Sequence, residues 1–429
     1  MKKILSRRQF IQHSSLTSAT LAGSSLLSSK FLHAQESSSN RIRVGVMGLS
    51  RGMAHVRNAL ASPNVEVAYV CDVDQQRIDR AVSAVEKQNA PKPKGVQDFR
   101  RILDDKEVDA IMIATCNHWH APATILACSA GKHVYVEKPG SHNPQEGFWM
   151  VQAARKHRRV VQMGNQRRSW PAIQEAMARL HSGVIGQTTF ARCWYDNARG
   201  SIGKGKKGPT PPNLNFDLWQ GPAPRKDYKD NLVHYNWHWH WHWGNGELGN
   251  NGIHALDLAR WGLNVDYPDS VTYTGGRYHY DDDQETPDTA IATYDFGNKG
   301  ISWDGSSCHP RREEKHDFVR FYGTKGTLAI NGSGYEVFDL DGTSLEKQTG
   351  EGGDRGHMDN FFECIRSGKR PNSEIAIGQT STLMCHLGNI AYRTGQTIKF
   401  SPASKQIVNS PKANLLWERE YENGWKPVI

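Results

Sequence analysis

Ile42-Arg43-Val44-Gly45-Val46-Met47-Gly48-Leu49-Ser50-Arg51-Gly52 is an apolar run that breaks into a glycine-rich turn, with a helix predicted from about residue 53. Glycines at such a turn let the backbone approach an anion at the helix N-terminus. A second apolar run, 65–71, closes on Asp72, 24 positions beyond Gly48. Outward from there, a helix is predicted over 75–88, a strand over 110–114, a helix over 122–130, and strands over 133–136 and 160–162. Short apolar strands alternating with helix-length segments give parallel strands joined by crossover helices. The expectation is a doubly wound α/β, Rossmann-type domain over residues 41–165. Gly48, Ser50, Arg51 and Gly52 would cradle a pyrophosphate, with Ser50 where the second glycine of Gly-x-Gly-x-x-Gly would stand and Gly52 displaced. Asp72 can hold both adenosine ribose hydroxyls, which favours NAD over NADP.

Ahead of this turn, Ser6-Arg7-Arg8-Gln9-Phe10-Ile11 followed by a diluted apolar run over 16–27 has the layout of a twin-arginine leader, with cleavage expected near Ala34. That run is too short and polar for a stable membrane anchor. The expected location is periplasmic or otherwise exported, with the Tat translocase as a transient partner. Because that route carries folded proteins, a tightly held cofactor follows. Removing residues 1–34 takes away Lys2, Lys3, Arg7, Arg8 and Lys30 and no acidic residue, so the formal charge falls from +9 to +4. No basic tract beyond the cluster at 204–207 remains, so no nucleic-acid partner is expected. The seven cysteines show no paired spacing and read as buried apolar residues. With 429 residues, two domains are expected after the leader, the second over 166–429.

Three further motifs fall at the carboxyl ends of strands, where open α/β sheets bind ligands: Thr115-Cys116-Asn117-His118-Trp119-His120, Glu137-Lys138-Pro139 and Met163-Gly164-Asn165-Gln166-Arg167. With the later Gly252-Ile253-His254-Ala255-Leu256-Asp257, they make the chain resemble the glucose-fructose oxidoreductase, inositol dehydrogenase and rhizopine-catabolism (Gfo/Idh/MocA) family over residues 41–429. The resemblance implies that Asn117, Trp119 and His120 form a loop on the cofactor's ribose and diphosphate, and that Glu137 and Asn165 lie on its nicotinamide side. Lys138 matches the family's lysine beside the reacting carbinol, where a neighbouring positive charge would lower its pKa. The second domain is then an α+β unit with an open, mostly antiparallel sheet that forms a homo-oligomer interface. Two amphipathic helices, over 356–365 and 377–392, return to brace the first domain, with His357 and Asp359 in the first of them.

Asp217-Leu218-Trp219-Gln220-Gly221-Pro222 resembles a positioning loop of exported sugar-active members. His234-Tyr235-Asn236-Trp237-His238-Trp239-His240-Trp241-His242-Trp243 alternates histidine and tryptophan. As an extended strip it would place His238, His240 and His242 on one face. Three readings stand open for it: a carbohydrate-cleft lining, a metal site with Glu247, or a buried structural strip. No metal is assigned. On the next helix Asn250, His254 and Asp257 would share a face. His254 matches the family's catalytic base, expected to titrate near working pH. Asn250 stands where family dehydrogenases often carry aspartate, which departs from the usual chemistry. Arg167, Tyr195, Trp219, His238, His240 and Asp257 are the substrate-side candidates.

These readings combine into an exported NAD(P)-dependent oxidoreductase moving hydride between a carbohydrate hydroxyl carbon and bound NAD, the substrate being a glycoside, sugar acid or polyol. The alternatives are an NAD-dependent glycoside hydrolase of the α-N-acetylgalactosaminidase type, which would oxidise, eliminate and reduce again, and a non-catalytic sugar-binding protein on the same scaffold.

Overall fold

The computed structural model describes residues 40–408 and 410–429; the leader and its cleavage position lie outside them. Strand β1 (Ile42–Met47) is buried at nearly every position, because helices cover both faces of its sheet. It pairs in parallel with β2 (Val65–Cys71) on one side and β4 (Ala110–Ile113) on the other. With β3 (Lys94–Val96), β5 (His133–Val136) and β6 (Val161–Met163), the order is β3-β2-β1-β4-β5-β6, parallel throughout. The winding therefore reverses between β1 and β4, which opens a crevice above their carboxyl ends.

Five helices follow strands in this half: α1 (Gly52–Ala61), α2 (Gln75–Glu86), α3 (Arg100–Asp104), α4 (Asn117–Ser129) and α5 (Pro144–Lys156). Asp74 caps α2 by accepting from Gln76 N, and Asn143 caps α5 by accepting from Glu146 N. The start of α4 corrects the sequence expectation. Proline favours a first helical turn, which placed the helix start at Pro122. The helix instead begins five residues earlier and tolerates Pro122 in its interior. Asn117, Trp119 and His120 thus lie on a helical first turn and not in a loop.

The second half contains α6 (Pro171–His181), β7 (Thr188–Asp196), α7 (Phe216–Gln220), α8 (Ile253–Leu263), β8 (Ser270–Gly276), β9 (Thr289–Asp295), β10 (Gly300–Ser306), β11 (Val319–Gly323), β12 (Gly326–Asn331), β13 (Gly334–Phe338) and β14 (Ser344–Gln348). It ends with α9 (Arg355–Ser367), α10 (Ile375–Thr394), β15 (Ile398–Ser401), β16 (Gln406–Val408) and α11 (Pro411–Asn414). Ten strands form one open sheet in the order β14-β13-β12-β11-β7-β10-β9-β8-β15-β16. Only the central β7·β10 pair is parallel. One face buries Ala191, Cys193, Ala292, Ile301 and Phe321 against α6, α8 and α10, while Phe190 and Ile291 stand exposed on the other. Strand β9 shows this directly, its odd and even positions alternating between solvent and core.

The two halves share side chains. Met358, Phe361 and Phe362 of α9 complete the cluster formed by Val44, Val46, Val70 and Tyr135, and Ile375 at the head of α10 joins the cluster on the opposite sheet face. His357, fully buried, lies with Nε2 3.0 Å from Met163 O and Nδ1 2.7 Å from Ser169 Oγ. A carbonyl partner requires the Nε2 proton, so Nδ1 accepts from the serine and the ring is neutral. His357 therefore braces the nucleotide half.

Burial pushes His357 down to about 4. The unfolded chain takes up that proton near pH 6.5 and the folded chain does not, so stability is complete above pH 6.5 and declines as pH falls toward 4. We expect unfolding free energy to drop over this window at about 1.4 kcal/mol per pH unit for such a group. His357→Phe should flatten the slope in urea titrations at pH 7, 6 and 5. An unchanged slope would show that other groups govern acid sensitivity.

Candidate active site

The crevice at the β1/β4 reversal holds a cleft of about 340 Å³, closed from the other side by residues of the 214–254 segment. Gly48 turns the chain there at φ +88°, and a Cβ would meet Ala114 O at 2.4 Å, so only glycine fits. Leu49 N donates to Asp72 Oδ2 at 2.7 Å and Asp74 N donates to Oδ1 at 3.0 Å, fixing the carboxylate at the end of β2. Burial pushes the Asp72 pKa up, opposed by these two amides. Ser50 and Arg51 line the mouth beside the start of α1. A tight glycine turn, a helix N-terminus and a fixed carboxylate fit the two ends of an adenosine diphosphate. Gly48→Ala should cost about 1–3 kcal/mol of stability and weaken nucleotide binding, checked by thermal unfolding and by titration with NAD. Unaltered nucleotide affinity in a folded variant would remove this turn from the binding site.

The floor is electrostatic. Glu137 is buried, with Oε1 3.0 Å from Arg51 Nε and 3.1 Å from His55 Nε2. Burial opposes its charge, but His55, Arg51 and Lys138 outweigh burial and hold it ionised well below the usual carboxylate range. Lys138 Nζ donates to Asn250 O at 2.7 Å and to Asn250 Oδ1 at 2.9 Å. Burial lowers its pKa against the pull of Glu137 and Glu247. Asn250 belongs to a π-helical turn, Leu248–Gly252, that runs straight into α8. His254 lines the cleft one turn on and is pushed down to about 3 by burial, with Lys138 and Arg167 adding repulsion. This corrects the expectation of a histidine titrating near working pH. Asn250 supplies no charge that would offset the neighbouring cations, so His254 is a neutral imidazole.

The other candidates divide. Trp119, His120, Trp219, His238 and Asn117 line the cleft. Trp119 Nε1 donates to Trp219 O at 3.0 Å, and His120 lies between Pro139 O at 2.6 Å and Thr115 O at 3.1 Å. Gly221, which ends α7, must be glycine because a Cβ would stand 1.9 Å from the Trp119 ring. Asn165 is buried but does not line the cleft, and both its amide atoms lack partners.

Four substrate-side candidates do not line the cleft. Asp257 pairs with Arg168 Nε at 2.8 Å and accepts from Ser381 Oγ at 2.6 Å, fully buried behind the site. Arg167 turns away, donating to Gly332 O and stacking over Phe318 at 4.2 Å. Tyr195 Oη accepts from Arg199 at 3.2 Å outside the cleft. His240 faces Glu285, 3.6 Å away.

The His/Trp strip is not extended. Asn236–Trp239 forms a 3₁₀ turn, and His240 N donates to Trp237 O, Trp243 N to His240 O. Trp237, Trp239 and Trp243 are buried, and His238 stacks on Trp237 at 3.6 Å. Glu247 pairs with Arg199 at 3.0 Å and accepts from Asn251. Among the described residues no group of three or more His, Cys, Asp or Glu side chains is placed to hold a metal ion. His234 and Tyr235 also line the cleft, as the cleft-lining reading of the strip expects, although neither was named among the substrate-side candidates.

Comparison with known proteins agrees with this geometry. The curated relatives it matches include a glycosyl hydrolase family 109 protein of Saccharopolyspora erythraea, 34% identical over 160 residues, and glycosyl hydrolase family 109 protein 1 of a Shewanella species, 35% identical over 160 residues. In both cases the match covers 36% of this chain and 35% of the relative, so it spans about a third of their length. Among solved structures, the aldose-aldose oxidoreductase from Caulobacter crescentus, complexed with glycerol, superposes with a TM-score of 0.66 at 19% identity over 84% of this chain and 100% of the other. The WlbA dehydrogenase from Bordetella pertussis, in complex with NADH and UDP-GlcNAcA, gives 0.65 at 19% identity over 84% and 99%. Residues 42–165 match the profile described as oxidoreductase family, NAD-binding Rossmann fold, and residues 180–427 match the profile of the same family's C-terminal alpha/beta domain. The chain belongs to the Gfo/Idh/MocA oxidoreductase family.

Proposed function

We propose that the chain binds NAD at the Gly48 turn and takes hydride from a secondary alcohol of a carbohydrate or returns it to the corresponding ketone. The observation that carries this reading is the convergence of Lys138, Asn250 and His254 on one wall of the cleft that begins at Gly48 and Asp72. When bound, NAD supplies the hydride acceptor. Lys138 has three N–H donors, and Asn250 takes two of them. The third is free for the carbinol oxygen. His254, neutral, accepts the hydroxyl proton, and the nearby ammonium hastens its release. His238 and Trp237 offer a polar edge and an apolar ring to the sugar. Asp72 disfavours a 2′-phosphate at the ribose, hence NAD over NADP.

The twin-arginine leader supports export with the cofactor already in place, so one sugar would be oxidised and another reduced on the same bound cofactor. The exposed sheet face carrying Phe190 and Ile291 supports homo-oligomer formation. A second reading, a hydrolase that oxidises and re-reduces one sugar, is favoured by the names of the curated relatives. Mass spectrometry of nucleotide released from the purified protein, with absorbance in the reduced-nicotinamide band during addition of glycosides and keto-sugars, separates them. Persistent reduction by a sugar is expected. Release of an aglycone without net reduction would shift the function to the hydrolase, and failure to bind any nucleotide would overturn both.

A further inference from the structure

A second cleft lies between the head of α5, the far end of the His/Trp strip, α10 and the C-terminal tail, and it shares no lining residue with the first. Its volume, about 750 Å³, exceeds that of the first cleft. The strip divides between the two: Trp237 and His238 face the first, Trp241 and His242 the second.

Its floor is polar and buried. His386, 3% exposed, spends Nε2 on Ser141 Oγ at 2.9 Å, and Asn389, 5% exposed, spends Nδ2 on Asn245 O at 2.9 Å. The His386 Nδ1 and Asn389 Oδ1 atoms have no partner among the described residues, and both side chains line the cleft. Left unbonded on buried side chains that line the cleft, these two atoms can bond a group that enters it.

The walls carry three cations. Arg393 lies over the Trp241 ring at 5.3 Å, and Lys226 over Trp243 at 5.7 Å. Arg419 is held by Glu420 O at 3.1 Å and His142 Nδ1 at 3.3 Å. None forms an ion pair with a carboxylate of the described residues. The neighbouring carboxylates are engaged elsewhere: Glu285 accepts from Trp241 N at 2.7 Å, Glu418 pairs with Lys426 at 2.7 Å, and Glu146 accepts from His142 N and Tyr421 Oη. Glu420 is the exception at the rim. Glu146 acts on Arg419 and Glu285 on Arg393 through space, but neither carboxylate bonds the guanidinium, so its N–H groups can bond an anion in the cleft.

We propose that this cleft is a second binding site for an acidic sugar, its carboxylate held by Arg419 and Arg393 and its hydroxyls by His386 and Asn389. The Trp241 ring gives the sugar an apolar face to stack on, while the cations select the carboxylate. This does not depend on the reaction assigned to the first cleft.

The test is calorimetric titration of the NAD-loaded protein with sodium glucuronate, with glucose and sodium sulfate as comparators. Glucuronate should bind, any glucose binding should be unaffected by changes in the second cleft, and sulfate should fail to displace glucuronate at equal concentration. Arg419→Gln should weaken glucuronate binding about 10- to 100-fold, the worth of a charge-assisted pair. Arg393→Gln, at an exposed position, should weaken it without risk to folding, and retained nucleotide binding certifies both variants. His254→Ala in the first cleft should leave the affinity unchanged. Absence of glucuronate binding, glucose binding weakened equally by the same arginine variants, displacement by sulfate, or loss of binding in His254→Ala with retention in both arginine variants would each overturn the proposal.

Discussion

Lys138→Met is expected to reduce kcat by about 10²–10⁴-fold, the usual worth of a positioned proton donor or acceptor, while NAD still binds. The side chain is matched in length and apolar, so it fills the same space. It removes the ammonium that Asn250 holds with both its backbone and side-chain oxygens. Burial is the main cause that keeps His254 neutral, and loss of the Lys138 charge removes the repulsion added to it. The variant's residual activity should therefore shift its acid limb toward higher pH as the imidazole regains basicity. Single-turnover reduction followed by absorbance, together with NAD titration, separates the two effects. If turnover persists within a few-fold of the parent, Lys138 has no part in the proton transfer.

Asp257→Ala should destabilise the fold more than any other single change considered, by about 3–5 kcal/mol, because it strands a buried cation. Arg168 is 5% exposed and makes its bidentate pair only with this carboxylate. Arg260, on the same helix, is buried and depressed to about 10 by burial and by the neighbouring Arg168. Without Asp257, two guanidinium groups would face each other across Ser381. Arg168→Met combined with Asp257→Met should recover much of the loss, since an apolar replacement of both partners removes the stranded charge. Denaturant midpoints of the single and double variants test this. Equal destabilisation in both would mean that packing, and not charge, dominates the site.

The nucleotide half was legible because its signals are local. Apolar strand, glycine turn and Asp72 lie within one β-α-β unit, and the packing that fixes them, such as Ala114 O against Gly48, comes from the neighbouring strand. The substrate side was harder. Asn250, His254 and Asp257 were read as sharing a helical face, but the π turn that carries Asn250 changes the angular spacing, and Arg168, 89 positions away from Asp257, draws the carboxylate inward. The His/Trp strip misled for another reason. Period-two alternation signals a strand only when one residue class is buried and the other exposed. Here tryptophan and histidine can both be buried, and no neighbouring strand offers them a ladder. Turn bonds within the segment took its place.

The return of α9 onto β1 and β5 has a practical consequence for recombination. A fragment ending at residue 165 would carry a finished nucleotide turn but leave Val44, Val46 and Tyr135 without Met358, Phe361 and Phe362. It would expose an apolar face where an interior belongs, and the Met163 carbonyl would lose His357. Nucleotide specificity therefore cannot be transplanted between relatives by a single crossover near residue 165. A working graft must carry residues 355–394 with it, which makes two distant segments of the gene one unit of exchange.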